Sequence, residues 1–261
     1  MQTEIILFIS SIAISAFGNI VGIGGGALIV PLLVLLDVLP INMAIGTATI
    51  ALLASSITGS IINYKNKSIR IKEGIIFEVP AVFGVILGAY LTSVLSIALL
   101  QKVFAVYLVW NGLRIIRNSA GRWISKIIKM TNSVGPFIDD KKQISLLLLT
   151  LTGSFAGVIS GLFGIGGGVV KTPVLIKVFK FDIKQAVSTS IFMIIITSAF
   201  AALSHSYLGN VNVRVGIPIV LGFVLGAIVG AKMKEKISPN KILKLLGVTM
   251  IAVGASLLIQ I

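Results

Sequence analysis

The chain has 261 residues, of which 56% are hydrophobic and only 11% charged, with a mean hydropathy of +1.08. Soluble domains carry about 25% charged residues, so a soluble globular protein is excluded. The net charge is +14, with no cysteine and one histidine; disulfide frameworks, thiolate metal sites and cysteine nucleophiles are removed. In a soluble chain such positive charge would suggest nucleic acid. In this one it is better explained by basic loops on a cytoplasmic face, and neither nucleic acid nor a cofactor or metal is expected.

The apolar residues come in blocks of about 20, the length that crosses a bilayer core as a helix. No block alternates polar and apolar as an outer-membrane strand does. The expected fold is therefore an all-α polytopic membrane protein. In chain order, a long apolar stretch (about 5–22) runs into Gly22-Ile23-Gly24-Gly25-Gly26. A short stretch follows (about 27–38), then three full-length spans at roughly 41–63, 74–94 and 98–116. A basic linker over 117–142 holds Arg117, Arg122, Lys126, Lys129, Lys141 and Lys142. The plan then repeats: about 143–163, the cluster Gly164-Ile165-Gly166-Gly167-Gly168, about 169–181, and spans at 184–207, 213–231 and 239–260. The N-terminus lacks the basic region of a cleaved signal peptide, so the first block is taken as a retained membrane segment. The division is a first membrane repeat over 1–116, the linker, and a second repeat over 143–261.

The correspondence extends beyond the glycines. At an offset of 142, Pro31 meets Pro173, Ala44 meets Ala186 and Thr47 meets Thr189. At an offset of 138, Pro80, Gly84, Gly88 and Ala89 meet Pro218, Gly222, Gly226 and Ala227. Internal repeats of this kind are common in transporters.

The short stretches are too short to span alone. If each long and short pair forms a hairpin that returns to its starting side, all lysines and arginines except Lys102, Lys171 and Arg214 gather on one side. The positive-inside rule then predicts two inverted repeats, each a glycine-broken helical hairpin plus three transmembrane helices. The chain would be multi-pass in the plasma membrane, with both termini outside.

Three consecutive glycines cost a helix about 1 kcal/mol each relative to Ala, so each cluster predicts a break. A break at membrane depth must be buried in protein or line a polar cavity. The short helix after it offers unpaired N–H groups and the positive end of its dipole, an anion site made of backbone. The plain alternative is a tight hairpin with close helix packing. Gly22, Gly24 and Ala27 also match the spacing of a dinucleotide fingerprint. That match fails because its flanks are membrane helices rather than a βαβ unit.

Gly22–Gly26 with Pro31, and Gly164–Gly168 with Pro173, resemble the signatures of the sulfite exporter TauE/SafE family, also described as sulfonate-type permeases. The resemblance covers nearly the whole chain. It implies a membrane transporter of sulfite, sulfonates or related organosulfur anions, without naming the substrate. The two copies differ in one telling place: Ile29 stands where the second has Lys171.

Lys171 sits on the first turn of the second short helix. A lysine at the bilayer centre costs about 2.5–3.5 kcal/mol on insertion scales and usually has a role. It is read as pairing with an anionic substrate, against a lysine that snorkels to the interface. Thr47, Thr49, Ser188, Thr189 and Ser190 lie about two turns into the next helices, where hydroxyls suit sulfonate or sulfite oxygens; the alternative is bonding back to their own helix. The same alternative is preferred for Ser55, Ser56, Thr197 and Ser198. Asn19 could cap or line the first cluster. Candidate substrate-binding residues are thus Gly24, Gly25, Gly26, Thr47, Thr49, Gly166, Gly167, Gly168, Lys171, Thr189 and Ser190. Glu78, placed near the cytoplasmic face, and His205, near the outer end of its span, are candidates for proton coupling, with interfacial side chains as the alternative. Trp110, Trp123 and Tyr107 read as interfacial or packing residues.

One histidine, no cysteine and no central acid pair argue against an enzyme. The expected function is a secondary transporter, in the exporting direction, of sulfite or a small organosulfur anion, by alternating access around the two hairpins. The alternative is an anion channel using the same backbone site. The expected partners are the anion and membrane lipid, and a homodimer is allowed for.

Overall fold

The structure is a computed structural model and describes residues 2–94, 96–118, 143–177 and 179–259. Among these residues the regular structure is helical throughout, in ten α-helices. They are α1 (Gln2–Val21), α2 (Gly26–Leu35), α3 (Ile41–Lys65), α4 (Ile71–Val94), α5 (Ile97–Asn118), α6 (Gln143–Phe163), α7 (Gly168–Lys177), α8 (Ile183–Tyr207), α9 (Val213–Lys236) and α10 (Pro239–Ile259). Of the basic linker over 117–142, Arg117 and Asn118 end α5, and the rest from Ser119 to Lys142, with Trp123, lies outside the described residues.

Five helices, at Thr3–Val21, Ile41–Lys65, Ile71–Thr92, Ile183–Tyr207 and Val213–Lys236, are long and apolar enough to cross a membrane. By contrast α2 and α7 have 10 residues each, about 15 Å at 1.5 Å per residue and half of a bilayer core. Helices α4 and α9 turn apolar rows outward. Val79, Phe83 and Tyr90 are exposed on one, and Ile217, Leu221, Leu225 and Val229 on the other. Phe83 is 72% exposed, and apolar surfaces of this kind suit contact with lipid or with another protein.

Packing is reciprocal. Helix α1 lies along α9 and α6 along α4, while α9 also packs on α3 and α4 on α8; α3 meets α8, and α5 meets α10. Small residues at four-residue spacing make the first two contacts close. A Cβ added at Gly157 would lie 2.0 Å from Ala81 O, and one at Gly88 would lie 2.3 Å from Val158 O. Likewise a Cβ at Gly226 would lie 2.3 Å from Ile12 O, and one at Gly230 would lie 2.2 Å from Ala16 O. Backbones therefore touch, and any side chain at these positions would wedge the helices apart.

The loops sort to two ends. Ser68 Oγ lies 2.9 Å from Ser188 Oγ, and Lys184 Nζ donates to Glu235 O at 2.6 Å. These bonds gather the α3–α4 loop, the start of α8 and the end of α9. At the other end, Asn212 N donates to Thr47 Oγ1 at 3.0 Å, and Arg214 reaches Glu4 at 3.8 Å. Lys65, Lys67, Arg70, Lys72, Lys232 and Lys236 belong to the first end, which is strongly basic.

Candidate functional site

The two glycine clusters form turns of matching conformation. Gly22, Gly24 and Gly25 have φ of 82°, 77° and 101°; Gly164, Gly166 and Gly167 have 62°, 69° and 70°. These left-handed values are open to glycine and costly for side chains, which explains why three glycines are needed in each copy. The turns run past one another in backbone contact. A Cβ at Gly26 would lie 2.5 Å from Gly164 O, and one at Gly168 would lie 2.6 Å from Gly22 O. Leu52 of α3 and Ile194 of α8 close on Gly24 and Gly166 from the sides. The crossing is shut in this conformation, with no room between the turns even for a methyl group. Close packing is thus part of what the glycines do.

Lys171, one turn into α7, is completely buried, so it does not snorkel. Its Nζ donates to Thr197 Oγ1 at 2.9 Å and lies 2.6 Å from Glu78 Oε1. The carboxylate contact is an ion pair whose angles fall short of a hydrogen bond, and Glu78 Oε2 has no hydrogen-bond partner. Glu78 is not a solvated carboxylate: it is 1% exposed, because α4 packs along α6 and α8 and turns that side of the helix inward. Thr197 Oγ1 is also 3.2 Å from Gly166 O, so the pair is tied to the second glycine turn.

The first turn is surrounded differently. Gly22 O accepts from Thr172 Oγ1 and from Ser190 Oγ, both at 2.8 Å. Nearby, Ser15 Oγ lies 3.0 Å from Ser55 Oγ and donates to Phe223 O at 2.7 Å, while Asn19 Nδ2 donates to Ser55 Oγ at 3.0 Å. One turn is therefore flanked by a charge pair and the other by a neutral hydroxyl and amide cluster.

Of the other candidates, Thr49 Oγ1 bonds back to Gly46 O at 2.6 Å. Thr47 and Thr189 act as a matched pair of ties. Thr47 Oγ1 accepts from Asn212 N, and Thr189 Oγ1 accepts from Arg70 N, both at 3.0 Å. Each pins the loop ahead of α9 or α4. Thr47 also borders an apolar groove of about 180 Å³ with Ile50, Asn212 and Gly216. His205, near the end of α8, is fully buried. Its Nε2 lies 2.9 Å from Gly161 O, which assigns the proton to Nε2 and leaves Nδ1 an acceptor without a partner. It stands apart from the Lys171–Glu78 pair. Trp110 is exposed on α5, with the Arg114 guanidinium 4.8 Å from its ring centre.

Two groups were not foreseen. Lys234 counts as a loop lysine by hydropathy, yet it is completely buried. The small-residue row Gly222, Gly226 and Gly230 continues at the same spacing to Lys234, a signal that α9 runs on past the apolar block. The pairing of Glu78 with Lys171 also left a trace. The positions matching them in the other copy are Gly216 and Ile29, so both charges are lost together.

The family described as sulfite exporter TauE/SafE matches residues 7–257. The probable membrane transporter protein YunE of Bacillus subtilis is 28% identical, over 98% of this chain and 97% of its own. A probable membrane transporter protein of Methanocaldococcus jannaschii is 31% identical, over 90% of this chain and 88% of its own. Another from Bacillus subtilis, YdhB, is 27% identical over 86% of this chain and 87% of its own. No solved structure matches the chain. With a buried, glycine-crossed helical bundle and a family match over almost its whole length, the chain belongs to the sulfite exporter TauE/SafE family of membrane transporters.

Proposed function

We propose that the protein is a secondary transporter that moves sulfite or a small organosulfur anion outward by alternating access around the two glycine turns. Helices α1–α5 and α6–α10 would be one five-helix unit used twice in opposite orientation, as in many transporters. The reciprocal pairing of α1 with α9 and α6 with α4 is what such an arrangement requires. With the basic end in the cytoplasm, both termini fall outside.

The observation that carries the proposal is the buried Lys171–Glu78 pair beside the second glycine turn. An intramembrane charge pair is costly and marks a substrate or ion pathway. Lys171 holds Glu78 in the closed state. An incoming oxyanion competes for the same ammonium and for the Thr197 hydroxyl, and the N-terminus of α7, three residues away, adds its dipole. The displaced carboxylate would be a lone buried charge unless it takes a proton, and its unpartnered Oε2 is free to accept one. Charge balance at Lys171 then makes anion and proton move together.

The test is uptake of labelled sulfite, thiosulfate and a simple sulfonate into liposomes holding the purified protein, with and without a pH gradient. Saturable flux that acidifies the trans side, lost in Lys171→Ala and uncoupled from protons in Glu78→Gln, is the expected result. Rapid flux indifferent to both the gradient and Glu78→Gln would instead indicate a channel. Absence of flux for all three anions from folded protein would remove the organosulfur assignment.

A further inference from the structure

Lys234 is a second buried cation, far from the glycine crossing, and the transport cycle above does not use it. Its Nζ donates to Asn63 Oδ1 of α3 at 2.7 Å and to Ser188 Oγ of α8. Ser188 Oγ is shared with Ser68 Oγ at 2.9 Å. A single ammonium thus laces α9 to α3, α8 and the α3–α4 loop, at the basic end. Its nearest carboxylate, Glu235 Oε1, is 3.5 Å away on a side chain 38% exposed, and the other oxygen of Glu235 serves Lys184 at 3.6 Å. Two lysines share one half-exposed carboxylate, so the buried one is held mainly by neutral oxygens. The charge of this buried cation is thus only partly neutralised in this conformation.

Between this lace and the first glycine turn lie buried polar atoms without partners. Ser60 Oγ is one, three residues before Asn63 on α3. Asn19 Oδ1 is another, and it sits where a Cβ on Gly59 would be, at 2.3 Å. With Ser55 and Ser15 they form a polar column from Lys234 towards the crossing.

We propose that Lys234, Asn63 and Ser188 form a binding site for small oxyanions at the basic mouth, closed in this conformation and opened when α9 swings from α3 and α8. The inference rests on the transport reading above. In the closed state the ammonium is spent on Asn63 Oδ1 and Ser188 Oγ. When the mouth opens those bonds break, and an oxyanion takes their place against the ammonium, the Ser188 hydroxyl and the Asn63 amide. Because the anion binds only the open form, its binding must favour opening. Lys234 is then both the latch of the mouth and its first contact for substrate.

The chain has no cysteine, so a single reporter has no background. Ser60→Cys is placed in the full-length protein, and its modification by neutral methyl methanethiosulfonate is timed with and without methanesulfonate, with uncharged dimethyl sulfone as control. Methanesulfonate is expected to raise the rate at least about threefold and dimethyl sulfone to leave it unchanged. The rise should persist with Lys171→Met, shrink with Asn63→Ala, which removes one contact to the anion but keeps the cation, and vanish with Lys234→Gln. Should that variant not fold, Asn63→Asp, which sets a carboxylate against the ammonium, must abolish the rise instead. A rise lost in Lys171→Met yet kept in Lys234→Gln would assign the anion to the crossing and overturn the proposal. No rise in the parent would overturn it as well, while liposome flux in that same parent would leave the transport reading standing.

Discussion

Removing one member of the Lys171–Glu78 pair should cost far more than removing both. The two side chains are 0% and 1% exposed and 2.6 Å apart, so the small values of surface pairs do not apply. Breaking a buried pair by removing one partner costs about 3–5 kcal/mol. A lone charge can also neutralise itself, which sets a ceiling. Left alone by Lys171→Met, Glu78 can take a proton; from an ordinary pKa near 4.3 this costs about 3.7 kcal/mol at pH 7, at 1.36 kcal/mol per unit. Left alone by Glu78→Gln, Lys171 can shed one; from about 10.4 this costs about 4.6 kcal/mol at pH 7. The two ceilings move oppositely with pH. At pH 5 the cost of protonating Glu78 falls to about 1 kcal/mol, so the Lys171→Met penalty should shrink by more than half, whereas the Glu78→Gln penalty should not shrink. The double variant Lys171→Met/Glu78→Gln should lie within about 1.5 kcal/mol of the wild type. Unfolding in mixed micelles of rising SDS content, followed by circular dichroism at pH 7 and pH 5, reads all four proteins as a double-mutant cycle. Two single variants that each lose under 1 kcal/mol, and a double variant that is their sum, would refute the buried pair.

Two further outcomes follow from other parts of the bundle. Gly168→Ala sets a methyl 2.6 Å from Gly22 O and 2.8 Å from Ile23 Cα. With backbone on the receiving side, overpacking should cost about 1–3 kcal/mol and abolish anion flux, measured in the same micelles and liposomes. Lys177, the last residue of α7 and outside the five spanning helices, is pushed down to about 8 by burial and by the neighbouring Arg114. Its folded pKa lies below its unfolded one, so the unfolded chain binds more protons between about pH 8 and 10 and stability rises with pH across that window. Lys177→Gln should therefore raise Tm slightly at pH 7 and lose its advantage by about pH 10, a difference read by thermal unfolding at the two pH values.

The elements were legible because lipid leaves the backbone few choices. Apolar length marks α3, α4, α8 and α9, and the glycine clusters mark the breaks that separate α1 from α2 and α6 from α7. The site was legible only in part. Lys171 stood out as a cation in an apolar run, but its partner did not, because Glu78 precedes it by 93 residues and is brought in by α4 packing on α6 and α8. Thr47 and Thr189 stand out in the sequence as a matched pair, and in the structure the match takes the form of two equivalent loop ties. Hydropathy misplaced Lys234 for a physical reason. A lysine at the end of a span is scored as solvated, and only the row of small residues leading to it shows that the helix is still buried there.

The charge pair is confined to one copy, and that bears on how the cycle is driven. Equivalent backbone turns cross at the centre, each with three left-handed glycines. If the two turns bound the anion through backbone N–H groups alone, both sides would hold it equally, and nothing would link its passage to another ion. Ile29 and Gly216 give the first side no charge to exchange, while Lys171 and Glu78 give the second exactly one of each sign. On the proposed cycle the anion would replace the carboxylate on the second side only, and only there would a proton become necessary. Putting the apolar pair on both sides, with Lys171→Ile and Glu78→Gly, should therefore preserve the closed crossing while removing proton-linked flux. A double variant that still accumulates anion against its gradient in response to pH would place the coupling elsewhere, with buried His205 the next residue to substitute.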